Sequence, residues 1–114
     1  MSLPPSYVGA LNEEQHHFYR NVCVDLKKAI KSSQDCNLLR EKMDRFLNAS
    51  REVAWPHHTS ETYRKDQAEK AMQKVANEFK RYVTDLENGT GANPQNLLEA
   101  LSRIEGMIDI LKVR

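Results

Sequence analysis

The chain is poor in residues that interrupt helices. Proline and glycine number only four each among 114 residues. They gather at residues 4–9, at 56 and at 89–94, with Gly106 alone elsewhere. Residues so placed separate elements rather than break them. Long apolar runs are missing as well: nothing approaches the roughly 18 consecutive apolar residues of a membrane span, so no span is expected. Charge of one sign is also missing. Seventeen Lys and Arg stand against sixteen Asp and Glu, a net charge of +1. No overall field then draws the chain to nucleic acid or an anionic membrane, and nucleic acid is not the expected partner. The N-terminus has neither the basic start nor the apolar core of a signal peptide. With only two cysteines, the expected setting is reducing and intracellular, in cytoplasm or nucleus.

What is present is helical periodicity. Ala68, Met72, Val75, Phe79, Tyr82 and Leu86 recur at alternating steps of four and three, flanked by Ala76 and Val83. Such residues share one face of a helix, because 3.6 residues make a turn. That seam needs other helices to cover it, and three more are legible. The first begins at Asn12, an N-cap with Gln15 three residues on as in a capping box, and with Glu13 and Glu14 in the first turn. It carries two adjacent stripes: Phe18, Val22 and Ala29, then Tyr19, Cys23, Leu26 and Ile30. Lys27, Lys28 and Lys31 stand at its C-terminal end.

Asp35 caps the second helix, whose seam is Leu39, Met43, Phe46 and Val53, interrupted by Ser50 and widened by Leu38 and Leu47. Arg40 with Asp44, and Glu41 with Arg45, are i,i+4 pairs on its flanks. Pro56 stops it by Ala54 or Trp55. Thr59 or Ser60 caps the third helix, which runs to Glu87 and spans about 42 Å, against about 30 Å for the others. Asn88 or Gly89 takes the left-handed conformation that ends it. Asn93 then caps the fourth helix, with Pro94 at its first position. Its seam is Leu97, Leu101, Ile104, Ile108 and Leu111, broadened by Leu98, Met107 and Ile110. Gly106 lies in that stripe, as a point of close helix contact or a mild weak point.

The fold class expected is all-α: an antiparallel up-down-up-down four-helix bundle with a long third helix. Residues 1–11 form a flexible N-terminal segment and 12–114 the bundle domain. A three-helix antiparallel coil with helices one and two as arms, and a dimer that buries the seams between chains, are the alternatives.

No catalytic, metal or nucleotide signature stands out. Glu13 with His16 and Glu14 with His17 have the Glu-x-x-His spacing of di-iron bundles, but no second copy completes such a site, and a polar first turn accounts for them. None of the four His lies in the local run of histidine phosphotransfer modules. His57 and His58 follow Trp55-Pro56, a loop whose Trp folds over the bundle end or makes a contact with a partner. Cys23 and Cys36 are too far apart along the helix for a disulfide. Asn48-Ala49-Ser50 and Asn88-Gly89-Thr90 match the glycosylation sequon by accident of composition. Arg64, Lys65, Lys70, Lys74, Lys80 and Arg81 make the third helix the most basic, diluted by acidic neighbours. Pro4-Pro5-Ser6-Tyr7 resembles the Pro-Pro-x-Tyr ligand of WW domains, which implies presentation of Pro4, Pro5 and Tyr7 to an aromatic groove.

The function these features imply is protein–protein interaction without catalysis: an adaptor or scaffold module binding a partner protein, through an amphipathic helix or a WW-type domain. The contact residues expected are Pro4, Pro5, Tyr7, Trp55, His57, His58, Tyr63 and Arg64. No cofactor, metal or small-molecule substrate is expected. Structural homo-oligomerisation is the alternative, with nucleic-acid binding behind it.

Overall fold

Helices form where the apolar stripes run, and stop where side chains or glycines satisfy their end groups. The structure, a computed structural model, describes residues 11–52 and 59–111, with the side chains of 59–65 excepted. Among the described residues the elements are four α-helices: α1 (Glu13–Ser32), α2 (Cys36–Glu52), α3 (Thr59–Asn88) and α4 (Gln95–Ile110). No β-strand occurs among the described residues. They have 20, 17, 30 and 16 residues respectively.

Caps expected at Asn12, Asp35, Gly89 and Asn93 are present, whereas α3 already includes Thr59 and Ser60, whose side chains lie outside the described residues. Asn12 Oδ1 accepts from the Gln15 amide at 2.8 Å, and Gln15 Oε1 accepts from the Asn12 amide at 3.0 Å, the reciprocal capping box. Asp35 Oδ1 accepts from the amides of Asn37 and Leu38, satisfying two of the orphan donors at the start of α2. Gly89, with φ +65, ends α3 in a Schellman arrangement: its amide donates to Leu86 and the Thr90 amide to Asp85. At the start of α4, Pro94 is already helical and offers no side-chain cap, so Asn93 serves instead: its Oδ1 accepts from the Gln95 amide at 2.9 Å.

The helices pack as a bundle. α1 lies against α2 and α4, and α3 against α4 and, more sparsely, α2. The core draws on every helix. Leu26 of α1, Leu39 and Phe46 of α2, Val75 of α3 and Leu101 and Ile104 of α4 are each fully excluded from water. Leu11, just before the α1 cap, is also buried, and its amide donates to the Leu111 carbonyl at 2.7 Å.

Several expectations need correction. Phe18 and Ile110 were placed on apolar stripes, yet they are 46 % and 61 % exposed. Phe18 sits at the stripe's edge, and Tyr19 takes the half-buried place while meeting Phe18 edge-on at 5.3 Å. Ile110 lies two residues from buried Ile108, about 200° round the helix. Ser50 stands on the α2 seam as expected, buried at 3 % exposure as a polar side chain within the apolar stripe. The i,i+4 pairs on α2 give way to partners on other helices. Arg40 meets Glu87 at 2.7 Å, and Arg45 lies 3.8 Å from Asp25 alongside Lys42. Exposed pairs of either kind are worth only about 0.3–0.5 kcal/mol, so long side chains go where a neighbouring helix holds a carboxylate. Gly106 marks no close contact: a Cβ there would meet nothing within 4 Å. Val53 lies outside the described residues.

Two outcomes follow from this packing. Gly106→Ala, filling open space on a helix, should stabilise the fold by about 0.5–1 kcal/mol in urea unfolding. Leu101→Ala should cost about 2–5 kcal/mol in the same measurement, because it opens a cavity in a fully enclosed stripe.

Candidate functional site

Two concavities and one polar seam bring polar and charged side chains of different elements together. One concavity is a groove of about 470 Å³ between α3 and α4. Its floor is Ala71 and Ala100, both buried. An alanine on each facing helix lets the two backbones sit close and leaves no long side chain to fill the trough. Lys70, Lys74 and Arg103 rim it, against one carboxylate, Glu99. Lys70 and Lys74 are four residues apart, so they share a face of α3 about 6 Å apart along the axis.

The rim is partly tied down. Arg103 Nη2 donates to Gln67 Oε1 at 2.7 Å, bridging the two helices. Glu99 Oε1 accepts from Gln95 Nε2 at 3.0 Å. Lys74 Nζ is 3.8 Å from Glu78 Oε1, a loose contact for an ammonium that is 64 % exposed. Lys70 has no ion pair among the described residues. Ammonium, guanidinium and amide groups predominate here, and the one carboxylate is already hydrogen-bonded. The groove therefore presents cations and hydrogen-bond donors, and its lining residues include no nucleophile with a base beside it.

The second concavity, of about 540 Å³, lies where the α1–α2 link meets the α3–α4 link. Ile30, Tyr82, Ala92 and Pro94 supply its apolar wall, and Ser32, Ser33 and Gln34 its polar one. Burial, and then the nearby Cys36, raise the Tyr82 phenol above its ordinary value, so it stays protonated. The last carbonyls of α1 also end here, the negative pole of that helix, with Lys31 beside them.

The polar seam runs between α1 and α4. His16 Nε2 lies 2.6 Å from Asp109 Oδ1, and Arg20 Nη1 3.1 Å from the same oxygen. Lys27 donates to Ser102 Oγ at 2.9 Å and sits 2.8 Å from Glu105 Oε1. That Glu105 oxygen is buried and accepts no directional hydrogen bond, so its attraction to Lys27 is coulombic. Cys23 lies beneath this seam. Burial first, and then the Glu105 carboxylate, push its thiol up to about 12. A thiol so held is inert as a nucleophile. The His16–Asp109 pair thus has no activated partner in Cys23, and it clasps the start of α1 to the end of α4. Among the described residues, no group of three His, Cys, Asp or Glu is placed to hold a metal.

Of the contact residues expected from sequence, Pro4, Pro5, Tyr7, Trp55, His57 and His58 lie outside the described residues. Tyr63 and Arg64 fall in the first turns of α3, where the backbone is helical and the side chains are outside the description. Of the groove, the sequence had marked only Lys70 and Lys74, as part of a basic face. Ala71 and Ala100, both missed, stand beside the apolar seams rather than on them. Two small residues next to long heptad stripes on consecutive helices were the available signal.

No helix among the described residues is long and apolar enough to cross a membrane. No family model, curated protein or solved structure matches the chain.

The two thiols should differ sharply in reactivity. Both are free, Cys23 buried and Cys36 half-buried. Iodoacetamide at pH 8 should alkylate Cys36 and leave Cys23 untouched in the native protein, and modify both in guanidinium, as read by peptide mass. The raised Cys23 value carries a sign for stability. An unfolded thiol ionises near 9 and the native one near 12. Its contribution is therefore full below pH 9 and lost as pH climbs towards 12.

Proposed function

We propose that this chain is a non-enzymatic interaction module whose α3–α4 groove receives an amphipathic helix from a partner protein. The observation that carries this is the groove itself: an alanine-floored trough with polar and cationic rims and no filling side chain of its own. Helix-in-groove docking needs this geometry, a ridge of small or apolar side chains entering between two helices while polar groups meet the rim. The absence of an activated nucleophile in the groove, and the inert Cys23 beneath the α1–α4 seam, favour recognition over catalysis.

An up-down-up-down order, with α3 as the long member, is part of this proposal. Arg20 meets Asp109 while Lys27, further along α1, meets Ser102 and Glu105, earlier on α4. Pairs that advance along one helix and retreat along the other support opposed directions. Two free thiols favour a reducing, intracellular site of action.

The test is affinity capture from a cell lysate with three forms of the protein. A partner held by the wild type should be lost by Lys70→Glu/Lys74→Glu and kept by Lys28→Glu/Lys31→Glu, a charge reversal of equal size on α1. Retention by both variants would remove the groove from the function. Light scattering on the same samples should give the 13.2 kDa of one chain. A dimer mass that falls to the monomer in the groove variant would assign the groove to a second copy instead.

A further inference from the structure

Resting on the groove as the docking surface, we infer that its occupant is an acidic amphipathic helix of a partner protein, with carboxylates one turn apart meeting Lys70 and Lys74 and another meeting Arg103. The charge around the trough supports this occupant. Three cations face one carboxylate, and Glu99 is already bonded by Gln95. The cations are available in different degrees. Lys70 has no ion pair among the described residues, and Lys74 is only loosely engaged by Glu78 at 3.8 Å. Arg103 is positioned by Gln67 through one nitrogen, which leaves other guanidinium donors for a carboxylate, a match of planar fork to planar acceptor.

The spacing matches as well. Lys70 and Lys74 repeat every four residues, the step at which a partner helix also repeats its side chains. Acidic side chains at i and i+4 would bracket a small or apolar residue, and that residue would seat over Ala71 and Ala100, 3 % and 7 % exposed.

Nucleic acid fits the same surface less well. Glu99 stands within the groove, and Asp66, Glu69 and Glu78 stand along the same helix as the lysines. A phosphate backbone carries a charge at every nucleotide and would run across these carboxylates. A peptide places its charges selectively and can leave a gap opposite Glu99. The net charge of +1 likewise gives no long-range pull on a polyanion, so attraction is confined to the groove and screened within about 10 Å at 0.1 M salt.

The experiment is selection of helical 16-mers from a displayed library with randomised surface positions, panned on the full chain at 0.15 M salt. Recovered helices should be net acidic, with carboxylates at i and i+4. They should bind Lys70→Glu/Lys74→Glu at least tenfold more weakly, and Lys28→Glu/Lys31→Glu unchanged. Asn96→Trp, which plugs the groove from its lip without touching the core, should also abolish binding, and circular dichroism should show both groove variants folded. Three results would overturn the inference. Neutral or basic helices whose binding Asn96→Trp abolishes would keep the groove as a docking surface and remove the acidic class. Failure to recover any helix sensitive to Asn96→Trp would remove both the acidic class and helix docking in the groove. A single-stranded 16-nucleotide DNA that binds more tightly than the recovered helices, and is released by the lysine reversals, would transfer the groove to nucleic acid.

Discussion

Leu97, Leu101, Ile104 and Ile108 form a line along α4, and each is at most 1 % exposed. A helix cannot enclose its own stripe. α4 therefore has to be covered from two sides, by α3 and by α1. Its enclosure is the constraint on which the rest depends. It places α3 near enough for Arg103 to reach Gln67, and α1 near enough for Lys27 and Arg20 to reach Glu105, Ser102 and Asp109. α2 then closes the remaining side of α1 and α3 with Leu39 and Phe46. The polar contacts come after this packing. Most are partly exposed and individually weak, so they register the helices against one another more than they hold them together.

The same enclosure produces the groove. Where two helices meet through large residues, the surface above the seam is filled. Where they meet through Ala71 and Ala100, it is hollow. The cations at its edge lie on the outer faces of helices whose inner faces are committed to the core, so they are held in place by packing that they do not themselves supply. The docking proposed for the groove would cost little reorganisation, because the rim residues sit on regular helix rather than on loops.

The two polar regions of α4 divide the work. The face towards α1 carries Glu105 and Asp109, both spent on ion pairs within the chain. The face towards α3 carries Arg103, bonded to Gln67 through one nitrogen, and lies beside Lys74, loosely engaged by Glu78, and Lys70, which has no ion pair among the described residues. Charge satisfied internally serves the fold, and charge left over is available to a ligand. The thiol of Cys23 belongs to the first group: burial beneath the Lys27–Glu105 pair raises it to about 12 and takes it out of reach of chemistry at neutral pH.

Several helix ends were determined by local features that act over a few residues. The Asn12–Gln15 capping box, Asp35 at the head of α2, Gly89 with its positive φ and Asn93 before Pro94 each define an end through short-range geometry. The seams of α3 and α4 were legible for the same reason, since period alone places residues on a face. What only the tertiary structure decided was which edge of each stripe would be covered. Phe18 and Ile110 carry apolar side chains at helical spacing, yet they stay 46 % and 61 % exposed. Ala71 and Ala100, small and off the seam, are buried because two helices meet there. Arg40 and Arg45 likewise left their i,i+4 partners for carboxylates on other helices. Periodicity measures angle about a single axis, and coverage depends on where the other axes lie, a distance between segments far apart in the chain that no local pattern encodes.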